Sequence, residues 1–180
     1  MLQVTIPARE LFDESRREFV QIKSETLQLE HSLVSLSKWE SKWKKPFLGK
    51  DSKTDEEILD YIRCMTITQN VSPHTYLCIP PEAFSQIIEY IQAPMTATWF
   101  TEHGGSKKRN EVITAEVIHY WMIAQNIPME CQKWHLNRLM TLIQVCSLKN
   151  QPQKKMGTKE MLTQQRTLNE ARKAQFNTKG

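Results

Sequence analysis

Four cysteines (64, 78, 131 and 146) and five histidines (31, 74, 103, 119 and 135) are the residues of this 180-residue chain best suited to nucleophilic or metal chemistry. A cysteine nucleophile needs a thiolate held beside a base, and no spacing here singles out such a pair. Cys131 and His135 are four apart, which places them on one face of a helix. Zinc would require two further nitrogen or sulfur ligands in tetrahedral array. His119 and Cys146 do not offer them in a tight motif, so the pair reads as a structural cysteine and a partly buried histidine. There is no C-x-x-C and no G-x-S-x-G. Gly104-Gly-Ser-Lys107 lacks the G-x-x-x-x-G-K-S/T spacing of a phosphate loop and reads as a basic loop tip. The sequence implies no catalytic residue, no metal and no cofactor.

Charge is the next feature that could act. Residues 1–95 carry 11 Lys/Arg against 14 Asp/Glu, whereas residues 131–180 carry 10 Lys/Arg against only Glu160 and Glu170. The C-terminal end is therefore electropositive and suited to an acidic partner. Its basic residues do not fall on one helical stripe, and aromatic interleaving is limited to Phe176. Direct nucleic-acid binding is accordingly the weaker reading. Few, widely spaced cysteines fit a reduced cytosolic setting. No run approaches the roughly 18 apolar residues of a membrane span. Met1–Pro7 lacks the basic and apolar regions of a signal peptide.

The elements that must position these residues follow from periodicity. Leu2–Ile6 alternates apolar and polar, as do Phe19–Ile22 and Thr26–Leu29, with residues 8–18 charged and turn-like. Residues 1–30 are thus expected to form a small antiparallel β-element of two or three strands. From Ser32, a plausible N-cap, Leu33, Leu36, Trp39 and Trp43 follow helical spacing up to Pro46. Core packing is the expected role of both tryptophans. Thr54-Asp-Glu-Glu57 is a capping box, and Ile58, Ile62 and Met65 continue its helix. Residues 67–81 read as a connector. Phe84, Ile87, Ile88 and Ile91 mark a further helix with Pro81 in its first turn. Residues 96–100 suggest a short strand paired with Val112-Ile113.

A helix from about Thr114 carries Val117, Ile118, Tyr120, Trp121, Met122 and Ile123, apolar on all sides, and is expected inside the fold. After Asn126-Ile-Pro128, a long helix holding Trp134, Leu136, Leu139, Met140, Leu142, Ile143 and Val145 should return as an antiparallel hairpin. Residues 114–147, with Trp121 and Trp134 buried, are the expected structural centre. The fold class is α+β: one predominantly helical domain over residues 1–150 (β-element 1–30, helices 31–150). A basic helical arm follows over 151–180. Thr158 can cap a helix over roughly 159–174, but its apolar surface is too small to pack alone. Lys154, Lys155, Met156, Met161, Arg166, Leu168, Arg172 and Lys173 are the candidate partner-binding residues, the bases for an acidic encounter and the flexible apolar groups for adhesion.

Several runs carry a resemblance. Leu27–Ser41, Asp55–Arg63, Pro94–Thr98, Tyr120–Pro128 and Glu130–Arg138 resemble proteins from the structural-gene clusters of long-tailed bacteriophages, over about residues 25–155. Within that group the chain is most similar to tail assembly chaperones. The resemblance implies a non-enzymatic protein of the infected bacterium's cytoplasm. It would bind the long helical tape measure protein, or other tail proteins, before the tail tube polymerises, with self-association and no membrane. It carries no catalytic residues over. The alternatives are a virion structural protein of neck or tail and a basic nucleic-acid-binding module. Eight methionines, including Met122 and Met140 in apolar helices and Met156 and Met161 in the arm, suit adaptable apolar contact.

Overall fold

The fold was obtained as a computed structural model that describes residues 1–13, 17–100, 112–150 and 158–176. Among them are four strands, β1 (Leu2–Ile6), β2 (Arg9–Asp13), β3 (Glu18–Ile22) and β4 (Glu25–Leu29). Seven α-helices follow: α1 (Leu33–Trp43), α2 (Asp55–Met65), α3 (Pro73–Leu77), α4 (Pro81–Gln92), α5 (Ala115–Ala124), α6 (Leu136–Asn150) and α7 (Thr158–Phe176). The class is α+β, mainly helical. The chain separates into two units, Met1–Ser147 and Leu148–Gly180.

The β-element is larger than its alternation suggests. β1 pairs with β4 and β2 with β3, both antiparallel. Leu2 faces Leu29 and Ile6 faces Glu25 in the first ladder, while Arg9 faces Ile22 and Asp13 faces Glu18 in the second. The offset is the same in both, so the four strands are one long hairpin interrupted at Pro7-Ala8 and Lys23-Ser24. The charged segment expected to be a turn contains β2. Its alternation is masked because Glu10 and Phe12 share the solvent face with Gln21 and Phe19. The outer edge of β4 is closed by the chain after α2: Ile67 N–H donates to Gln28 C=O at 2.8 Å and Glu30 N–H to Met65 C=O at 2.9 Å.

Two apolar clusters form the core, and α1 serves both. The hairpin (Val4, Ile6, Ile22, Leu27, Leu29) packs with Trp39 of α1, Tyr61, Ile62 and Met65 of α2, and Ala83, Ile87 and Tyr90 of α4. Leu33 and Leu36 of α1 pack instead with Ala115, Ile118 and Met122 of α5 and Leu136, Leu139 and Ile143 of α6. The structural centre is therefore α1, not residues 114–147. The caps of α1 and α2 are as expected: Ser32 accepts from Ser35 N–H, and Thr54 and Glu57 form the reciprocal capping box.

Other expectations are corrected. Residues 96–100 and 112–113 form no strand, and Trp99 is 83% exposed. The intervening loop, with Gly104-Gly-Ser-Lys107, lies outside the described residues. The 67–81 connector contains α3, opened by Ser72 and Pro73. The buried stripe of α4 is Ala83, Ile87 and Tyr90, with Phe84, Ile88 and Ile91 only half-buried. After Pro128 comes a 3₁₀ turn (Met129–Lys133), and α6 begins only at Leu136. Cys131 and His135 consequently share no helix. Trp134 lies between the turn and α6, 37% exposed, with the Arg138 guanidinium 4.4 Å above its ring.

Candidate partner-binding surfaces

The buried polar residues hold the fold together and leave little for chemistry. His31 and His135 lie edge to face at 5.1 Å, each buried, at the junction of β4, α1 and α6. The His31 Nδ1 shares a 2.6 Å hydrogen bond with the Tyr61 hydroxyl. The His135 Nε2–H donates to Tyr90 C=O at 2.9 Å, and its Nδ1 accepts from Asn137 N–H at 3.3 Å. Both nitrogens of His135 are thereby used, and the ring is held neutral. Burial, with the neighbouring His135, pushes the His31 pKa down to about 4; burial also lowers that of His135. Burial raises the Cys64 pKa, the opposite of what a thiolate nucleophile requires. Among the described residues no group of three or more His, Cys, Asp or Glu is arranged to hold a metal ion, and the four cysteines are free thiols.

Carboxylates around α1 act as ties. Glu40, 8% exposed, accepts Phe47 N–H at 2.8 Å through Oε1 and Ala115 N–H at 2.7 Å through Oε2, fixing the start of α5. Lys45 donates to Glu57 at 2.7 Å and, with the Thr54 backbone, holds that carboxyl below its usual range. Asp60 receives Lys42 and the Trp43 indole N–H. Asp55, Glu56 and Glu57 thus stabilise the first turn of α2 rather than forming a carboxylate site.

The surface features are apolar. α5 buries only Ala115, Ile118 and Met122, against the expectation of a helix enclosed on every side. Tyr120 and Ile123 point outward, 67% and 66% exposed, and Trp121 is half-buried. α6 likewise turns only Leu136, Leu139 and Ile143 fully inward. Between them runs a groove of about 640 Å³, lined by Ile113, Tyr120, Trp121, Met140 and Ile143, with Gln125, Thr141, Gln144 and Ser147 on its polar parts. Met122 is fully buried, as a core methionine, while Met140 lines the groove.

Of the arm residues, Arg166, Leu168, Arg172 and Lys173 are exposed on α7, Leu168 at 52%. Leu162, not singled out from sequence, is 55% exposed on the same helix. Met161 lies in α7 by its backbone, while Lys154, Lys155 and Met156 fall outside the described residues. Sequence reasoning missed the outward face of α5; its signal was the pair Tyr120 and Ile123, spaced i, i+3 opposite Ile118 and Met122. Among the described residues no helix is long and apolar enough to cross a membrane. Comparison of the chain with protein-family models, with curated proteins and with solved structures found no match.

Proposed function

We propose that this chain is a non-enzymatic binding protein, a tail assembly chaperone of a long-tailed phage. It would hold the tape measure protein in the host cytoplasm before tail tube polymerisation. The observation that carries the binding reading is the α5–α6 groove with Tyr120 and Ile123 exposed beside it. A seam of aromatic, aliphatic and methionine side chains suits the apolar face of an amphipathic helix. Methionine and glutamine at the lining adapt to varied side chains along a long helical partner. The resemblance of Tyr120–Pro128 and its neighbours to phage tail-assembly proteins supports the choice of partner. The basic arm, with Arg166, Arg172 and Lys173, would attract an acidic stretch of that partner.

Co-expression with the tape measure protein of a long-tailed phage tests this. The expected result is a soluble complex that survives purification and is lost on replacing Tyr120 and Ile123 together by Glu. Absence of a complex, or recovery of the polypeptide from finished virions, overturns the assignment in favour of a structural part.

A further inference from the structure

The chain leaving α4 and the chain entering α6 meet at a cavity of about 310 Å³, lined by Tyr90 and Met95 from the first and by Lys133, Trp134, His135 and Arg138 from the second. The two segments are tied to each other. His135 Nε2–H donates to Tyr90 C=O at 2.9 Å, and the Asn137 amide donates to Ile91 C=O at 3.0 Å and to Ala93 C=O at 2.8 Å. Two residues later Met95 has a φ of 51°, in the left-handed region that costs free energy for a residue with a Cβ. Such a conformation persists where its surroundings over-determine it, and it concentrates at ligand sites. Here it lies at the cavity, with Met95 43% exposed.

The charges are arranged for an anion. Arg138 holds its guanidinium 4.4 Å above the Trp134 ring, which restrains the side chain and leaves its N–H donors at the edge. Among the described residues neither Arg138 nor Lys133 pairs with a carboxylate. The acid that lines the cavity, Glu30, has both oxygens engaged: Oε1 accepts the Tyr90 hydroxyl at 2.8 Å and Oε2 meets the Met1 ammonium at 2.9 Å. A guanidinium fork takes a carboxylate through two N–H groups, and a lysine ammonium adds a point charge. The volume is at the small end of ligand sites and admits one side chain rather than a large cofactor. Met95 and the exposed part of Trp134 offer apolar contact beside the charges. We infer that this cavity captures an aspartate or glutamate side chain of a partner polypeptide, with an apolar neighbour of that acid resting on Met95 and Trp134. Nucleic acid fits less well. Binding to a phosphate backbone draws on several cations along a track, and the flanking α4 and 3₁₀ turn carry exposed Glu89 and Glu130. The cavity shares no lining residue with the α5–α6 groove, and the inference does not rest on the tape measure reading.

Fluorescence anisotropy of the full chain with a short labelled peptide centred on Phe-Glu-Phe tests it. Binding should weaken by about fivefold or more when glutamine replaces the peptide's glutamate, an exchange that needs no variant of the chain. Arg138→Gln should weaken it by a similar factor and Lys133→Gln by less, with the urea midpoint of each unchanged. Arg138→Lys keeps the charge without the fork and should not restore the affinity. Met95→Gly removes both the strain and the apolar contact, so it should raise the urea midpoint while weakening the peptide, a combination that a purely structural role would not give. A peptide indifferent to the glutamine exchange, an Arg138→Gln or Met95→Gly chain that binds as well as the unaltered one, or tighter binding of an oligothymidylate of similar length overturns the proposal. So does a loss that follows Arg166→Gln and Arg172→Gln in place of Arg138→Gln, which would put the acid on α7.

Discussion

Acid should weaken this fold through His31 before it reaches most carboxylates. The ring is 2% exposed, contacts His135, and hydrogen-bonds Tyr61. Burial first, and the neighbouring His135 second, bring its pKa from 6.5 to about 4. The unfolded chain therefore binds a proton that the folded chain refuses. The stability this lends is fully present above about pH 6.5 and is lost as pH falls toward 4. The full difference corresponds to about 3 kcal/mol, and about 2 kcal/mol of it is gone by about pH 5. His135, shifted the same way by burial, adds to the loss. Urea melts between about pH 7.5 and about pH 5 measure it, with the slope m checked for constancy. His31→Gln keeps a polar partner for Tyr61 without titrating, so its melting midpoint should fall less over the same range. Equal losses in variant and unaltered chain, or a flat profile in the latter, would refute the reasoning that this imidazole is held neutral by burial.

Trp39→Ala should cost about 3–5 kcal/mol, as for large buried aromatics, and be read as a shifted urea midpoint. Trp134→Ala, at a side chain 37% exposed under Arg138, should stay within about 1 kcal/mol in the same assay. Glu40→Gln should destabilise by about 2 kcal/mol, because one of two accepting oxygens becomes an NH₂ aimed at a backbone N–H; calorimetry or urea melts would show it. Deleting residues 151–180 should leave the midpoint of residues 1–150 within a few degrees while weakening partner binding, with Arg166 and Arg172 contributing a salt-sensitive part measurable by titration at two ionic strengths.

What sequence reveals here is local order, and what it hides is which face an element turns inward. The caps at Ser32 and Thr54 were legible because the donors and acceptors lie within three residues of each other. The strand β2 was not, because Arg9, Glu10 and Asp13 interrupt the apolar alternation, and its pairing depends on β3 across the turn. α5 misleads for a different reason. Its composition is apolar on every side, and composition alone cannot show that α1 and α6 cover only the Ala115, Ile118 and Met122 face. Trp134 looks like a core residue by its spacing to later leucines, yet Pro128 opens a 3₁₀ turn that ends before it, leaving it outside α6. The candidate arm residues were legible only as charge and flexibility; the groove needed the third dimension.

The placement of polar burial separates stability from surface. Glu40, Glu57, Asp60, His31 and Ser35 all lie on α1 or face it, and each is hydrogen-bonded; among the described residues no buried side-chain nitrogen or oxygen lacks a partner. Removing any of them strands a donor or charge in the interior, so substitutions there act on folding. Tyr120 and Ile123 on α5, Phe12 and Phe19 on the hairpin, and Leu162 and Leu168 on α7 are instead exposed apolar groups on three separate elements. None belongs to a core cluster. Substitutions at these exposed groups should therefore leave folding largely intact, whereas those at the buried polar ties around α1 act on it.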